Sequence, residues 1–221
     1  MSCIHRYTRA VIAWLTRSRD IEKRTYEFRA ADAADNPRRL VGHAAVFNQE
    51  ATIAGLFREV IRPGAFAKTI QEADIRALWN HDPNIVLGRV KAGTLSLSED
   101  DIGLLSSIEP PDTPMHNSHL ESVRRGDVDQ MSFMFDVIKE SWLRAESDGL
   151  DLREIQEVRL YEVSPVTFPA YSGTDVSVEE ARSIFAKHQA TTPEPRADAH
   201  SAEPELWRLD IRKRQLELLE A

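Results

Sequence analysis

The sequence predicts an α+β fold, mainly antiparallel and barrel-like, and three observations carry that reading. Strand-like runs follow one another from about Glu27 to Val178 with only short helical pieces between them, which favours a closing meander over a doubly wound parallel sheet. A chain of 221 residues that is 42% hydrophobic has apolar material for one core with appendages, and not comfortably for two. No internal repeat of fixed period divides it.

The elements follow in order. LVGHAAVFN (40–48) and FREVIRP (57–63) read as strands, and GAFAKTIQEA (64–73) places Phe66, Thr69, Ile70 and Ala73 at helical spacing. DIRALWN (74–80) is a further apolar strand that ends at His81. GTLSLSED (93–100) alternates apolar and polar residues, turns on its acidic end, and returns as GLLSSIEPP (103–111). SHLESVRRG (118–126) is expected to be a helix of about two turns, with Ser118 as N-cap, Glu121 completing a capping box and Gly126 as the stop. QMSFMFDVI (130–138) and LREIQEVRLYEVSPVTF (152–168) supply the last long strands.

The ends differ from the middle. Residues 1–24 hold six Lys/Arg against Asp20 and Glu22, a balance of +4, so the remainder carries −12 of the net −8. An acidic body disfavours nucleic acid as a partner. On the basic arm Ile4, Tyr7, Val11 and Trp14 recur at helical spacing and are expected to pack on the domain or on a neighbour. Its apolar run AVIAWL (10–15) is too short for a signal core or a membrane span, which excludes membrane insertion as an expectation. One cysteine, Cys3, rules out an intrachain disulfide and a thiolate metal cage, so a reducing compartment is expected. From about Lys187 to Ala202 the chain reads as a polar linker, and Pro204 opens a helical tail with Trp207, Ile211 and Leu218 along one stripe. The expected organisation is an arm over 1–24, a domain over 25–180, and a linker with a helical tail over 181–221.

Two chemistries compete for the polar residues. His81, Asp82, His116 and His119 raise the question of a metal, but with Ser118 as N-cap the two later histidines need not share a face, and no metal or other cofactor is expected. In MSFMF (131–135) Met131, Phe133 and Phe135 point to one side of a strand, leaving Ser132 on the other. A serine needs a base to take its proton, and His81 is the natural candidate. In VRLYEVSPV (158–166) Glu162 is expected on the strand face of Val158 and Leu160, where an isolated carboxylate would be costly without a partner such as His81.

Six blocks then occur in one order: GHAAVFN (42–48), FREVIRPGAF (57–66), LWNHD with LGR (78–82, 87–89), GTLSLSEDDIGL (93–104), RRGDVDQMSFMF (124–135) and LYEVSPVTFPAY (160–171). In these blocks, over roughly residues 25–178, the chain resembles the prohead proteases of tailed bacteriophages, capsid-maturation serine proteases related in fold to the herpesvirus assemblins. The resemblance implies a small β barrel wrapped by helices, with His81 and Ser132 as catalytic residues. Assemblins use a second histidine after the serine, whereas only His188 and His200 follow Ser132 here. The chain departs from the assemblin pattern here, and an acidic third member resembles the phage branch; the resemblance assigns it to Glu162 ahead of Glu157 and Asp136.

The implied substrates are the scaffolding part of the major capsid protein and the protease itself, cleaved inside a prohead assembling in the host bacterial cytoplasm. A homodimer is implied by the assemblins. Arg89, Arg124, Arg125 and amides near Gly126 are open candidates for an oxyanion hole. The rival readings are a catalytically inactive scaffold or capsid-binding module of the same fold, and a metal-dependent hydrolase using His81, Asp82 and His116.

Overall fold

The computed structural model describes residues 21–27, 31–32, 36, 38–145, 149–168 and 178–191. The arm stripe from Ile4 to Trp14, the part of the expected linker beyond Thr191 and the segment from Pro204 lie outside the described residues; the first residues of that expected linker, 187–191, are instead the end of a helix that starts at Val178.

The chain is α+β and strand-rich. Its strands are β1 (Ile21–Glu27), β2 (Ala31–Asp32), β3 (Leu40–Val46), β4 (Ala51–Ile53), β5 (Phe57–Ile61), β6 (Arg76–Trp79), β7 (Asp82–Arg89), β8 (Leu95–Glu99), β9 (Gly103–Ile108), β10 (Gln130–Leu143) and β11 (Leu152–Val166). The helices are α1 (Thr69–Glu72), α2 (Pro114–Arg124) and α3 (Val178–Thr191). The chain divides between Ser183 and Ile184, within α3, and both sheets belong to the first unit.

One sheet runs β1-β10-β11-β5-β4, with β6 also on β11 and β7 on β6; the other runs β2-β3-β9-β8. Among the described residues neither sheet closes, so the expected barrel is corrected to two open sheets. Part of the reason lies in β11. Its first residues, Leu152–Ile155, pair in parallel with β5, and farther along Glu162 and Val163 pair in parallel with β6. The sheet therefore branches at β11. These parallel pairs also qualify the antiparallel meander, which holds for β1–β10–β11 and for β3–β9–β8.

Alternation works as expected on β10: Met131, Phe133 and Phe135 are fully buried in the core, and Phe66 meets Phe133 edge-on with centroids 5.7 Å apart. Gly103 opens β9 because a Cβ there would stand 1.9 Å from the Ala45 carbonyl oxygen on the neighbouring strand.

Two helices depart from expectation. GAFAKTIQEA is helical only over Thr69–Glu72, the residues before it forming turns. The second helix starts four residues before Ser118. Thr113 is its N-cap, accepting from the His116 N–H, and Pro114 stands at the first helical position, where its missing N–H costs nothing. Ser118 thus lies inside α2 and donates to the Pro114 carbonyl, and His116 and His119 fall three residues apart on one face.

A charged cluster ties β1 to β10, β11 and β5 of its own sheet. Arg24 donates to Glu59 at 2.5 and 2.7 Å and to Glu22 at 2.7 Å. Arg153 donates to Glu22 at 2.8 and 2.9 Å, to Glu59 at 2.9 Å and to Glu140 at 2.7 Å. Glu22, Arg24, Glu59 and Arg153 are all buried. Burial opposes the charge on Glu22, but Arg24 and Arg153 outweigh it and hold the carboxyl below its ordinary range.

Candidate active site

Ser132, Glu162 and His81 come from β10, β11 and the turn after β6. The register sets Ser132 opposite Thr25 on one side and Ser164 on the other. Glu162 lies opposite Met134, two residues along. Between Met134 and Phe135 the partner jumps from Glu162 to Leu160, so Tyr161 is the extra residue of a β-bulge. The bulge reverses the alternation of β11. Leu160 and Val158 face the core with Phe135 and Val137, whereas Glu162 and Ser164 share the face of Ser132. The expectation that Glu162 sits with Val158 and Leu160 is corrected accordingly.

His81 reaches this face from a strained turn. Asn80 and His81 both have left-handed backbone, with φ of 52° and 61°, a conformation Asn tolerates and most residues avoid. The turn is held from β11: the Asn80 N–H donates to the Pro165 carbonyl at 3.0 Å, the Thr167 N–H donates to Asn80 Oδ1 at 2.8 Å, and Asn80 Nδ2 donates to Thr167 Oγ1 at 3.0 Å. The His81 N–H donates to Ser164 Oγ at 3.3 Å. Strain of this kind persists where surrounding bonds fix it.

The imidazole meets the carboxylate directly, with His81 Nδ1 2.5 Å from Glu162 Oε1. With Glu162 as acceptor, Nδ1 carries the hydrogen and Nε2 keeps its lone pair free to take a proton. The other carboxylate oxygen, Oε2, accepts from the Ser164 hydroxyl. Glu162 is 4% exposed and Ser132 2%. No hydrogen bond joins Ser132 to His81 among the described residues.

A family model for caudovirus prohead serine proteases matches residues 24–189, most of the chain. The chain belongs to this family. No curated protein and no solved structure matches it. Membership makes the protein a serine protease of the phage prohead, concerned with capsid maturation and in contact with capsid proteins. Among the described residues no helix is long and apolar enough to cross a membrane.

The other candidate residues of the prohead protease are engaged elsewhere. Asp136 accepts from the Tyr161 hydroxyl, and Glu157 pairs with Lys68 at 3.2 Å; neither is bonded to His81. Arg89 is held by Asp74, and Arg125 pairs with Asp127 at 3.2 Å. Asp82 accepts from the N–H and the side-chain amide of Asn84, both at 2.8 Å. Among the described residues no group of three or more His, Cys, Asp or Glu side chains is arranged to hold a metal ion.

His119 instead stacks on Trp79, centroids 4.2 Å apart, next to the turn bearing His81. Burial, and secondarily His116, hold its imidazole below the ordinary range.

The sequence reading missed Asn80, Ser164 and Thr167, which fix the turn and the carboxylate. A faint signal existed for two of them. Asn is the residue best suited to a left-handed position before His81, and Ser164 stands two residues from Glu162, hence on its face.

Proposed function

We propose that Ser132, His81 and Glu162 carry out peptide-bond hydrolysis in this prohead protease. Ser132 Oγ attacks the carbonyl carbon while His81 Nε2 takes its proton. The C–N bond then breaks, the amine leaves with that proton, and the acyl group stays on Ser132. Water attacks the ester, His81 again takes and returns the proton, and the acid departs as Ser132 is regenerated. Glu162 fixes the tautomer and stabilises the imidazolium. The observation that carries this reading is the His81–Glu162 contact on the same sheet face as Ser132. Ser132 and His81 come into hydrogen-bond range as substrate binds, a tightening common in catalytic sites that are open when unliganded.

The substrates in this proposal are the scaffolding part of the major capsid protein and the protease itself. The residues before β1 and the segment over 181–221 are appendages of a catalytic domain that begins with β1 at Ile21, the latter carrying self-cleavage sites and a tether to the scaffold. A homodimer and kinship of fold with the assemblins belong to the same proposal, and neither nucleic acid nor membrane has a part in it.

Co-expression with the major capsid protein, wild type beside Ser132→Ala, followed by intact mass of both chains, tests it. Capsid protein shortened only by wild type is the expected result. Cleavage by both would overturn the serine assignment, and cleavage by neither would favour an inactive capsid-binding module of the same fold.

A further inference from the structure

The carboxylate facing His81 is itself held by a group with no role in the steps above. Ser164, fully buried, donates its hydroxyl hydrogen to Glu162 Oε2 and accepts the His81 backbone N–H at 3.3 Å. One small side chain therefore grips both the acid and the backbone of the base. We infer that Ser164 is a positioning residue of the active site, which fixes Glu162 with Oε1 toward the imidazole and anchors the left-handed turn that presents His81. This rests on the triad reading and adds a fourth group to it.

The physical case has three parts. A glutamate carboxyl rotates broadly about its last torsion, and a second donor on Oε2 removes that freedom without competing for Oε1. A buried carboxylate that accepts only one hydrogen bond is poorly satisfied, so the Ser164 hydroxyl is not dispensable to its solvation. Two consecutive left-handed residues need outside support, and the His81 N–H has Ser164 Oγ as its partner.

Electrostatics gives a readout that loss of shape alone does not. Removing the donor on Oε2 leaves more of the carboxylate's charge facing the imidazolium formed during the reaction, so the acid limb of the rate profile moves to higher pH. Misplacement of the imidazole slows the reaction as well, and displacements near 1 Å cost on the order of 10²-fold.

The test measures the rate at which a fluorophosphonate labels the full-length chain between pH 5 and 9, with the labelled residue mapped by peptide mass. Wild type, Ser164→Ala and Ser164→Thr are compared, and thermal melts confirm that each variant folds. Ser164→Ala is expected to label Ser132 about 10- to 100-fold more slowly, with the acid limb displaced to higher pH. Ser164→Thr, which restores the hydroxyl, returns the limb to its wild-type position; Ser164→Cys, a weak donor, substitutes should threonine not fit.

Labelling of Ser164→Ala within twofold of wild type overturns the inference. So does a slow variant whose acid limb is unmoved and whose rate the hydroxyl-bearing variant does not recover, since that marks a merely structural residue. Failure of wild type itself to be labelled at Ser132 removes the underlying triad, a failure visible before any Ser164 variant is compared.

Discussion

Replacing Arg153 by methionine should destabilise the protein far more than its surface ion pairs would suggest. Arg153 bridges Glu22, Glu59 and Glu140, and its side chain is 4% exposed. Methionine keeps an apolar stem but leaves Glu22 and Glu59 sharing Arg24 alone, two buried carboxylates against one guanidinium. Removing one partner of a buried pair costs about 3–5 kcal/mol, because the remaining charge stays desolvated. That is at least a fifth of a stability of about 5–15 kcal/mol, or a fall in Tm of roughly 6–20 °C for a domain of this size.

The double variant Arg153→Met with Glu22→Gln restores balance around the Arg24–Glu59 fork, so it should be more stable than Arg153→Met alone. The pH dependence has a definite sign. Glu22 is held below its ordinary value of 4.5, so its contribution is complete above that value and is lost as pH falls through the lower native one. The gap between wild type and Arg153→Met should therefore narrow below about pH 4.5. Urea titration followed by tryptophan fluorescence at several pH values measures all of this. A single variant within about 1 kcal/mol of wild type at pH 7, or a double variant worse than the single, would refute the reasoning. The consequence reaches the site, because β1, which the cluster retains, sets Thr25 opposite Ser132.

Three further outcomes are expected. Glu162→Gln keeps the shape of the group but loses its charge, so fluorophosphonate labelling of Ser132 should slow by about 10²–10⁴ with the melt nearly unchanged, and an unaltered rate would remove Glu162 from the triad. Gly103→Ala forces a methyl group against the Ala45 backbone and should cost about 1–3 kcal/mol or more in thermal denaturation; an unchanged Tm would mean that β3 and β9 can part freely. His119, held below its ordinary 6.5 by burial and His116, contributes stability that is full above that value and declines as pH falls through the lower native one. His119→Phe, which keeps a ring on Trp79, should flatten that decline below about pH 6.5, and a slope identical to wild type would count against it.

Much of the fold was legible because its signals are local. The period-2 alternation of Met131, Phe133 and Phe135 needs no partner to be recognised, and β10 forms where it was expected. Misreadings came where one local signal outranked another. Ser118 with Glu121 imitates a capping box, yet Thr113 followed by Pro114 caps earlier and wins. The charged cluster was illegible for a different reason. Glu22 and Arg24 sit in a stretch whose composition reads as a basic arm outside the domain, and their burial depends on Glu59 and Arg153, up to 131 residues away. Sequence spacing carries no information on such a pairing.

The candidate site was legible in its residues and illegible in its geometry, and the bulge at Tyr161 explains the difference. Unbroken alternation along VRLYEVSPV would place Glu162 with Leu160 in the core, remote from the face of Ser132, and a buried carboxylate there would have no base to serve. One inserted residue moves Glu162 and Ser164 to the opposite face while leaving Val158, Leu160 and Val163 buried. The strand thus supplies the core on both sides of the bulge and the acid of the site beyond it. His81 complements this from outside the sheet: a turn too strained to stand alone is bonded at Asn80 and His81 to Pro165, Thr167 and Ser164. Acid and base are consequently referenced to the same few residues of β11 and the turn at its end, so a displacement of that strand end moves them together and preserves their contact.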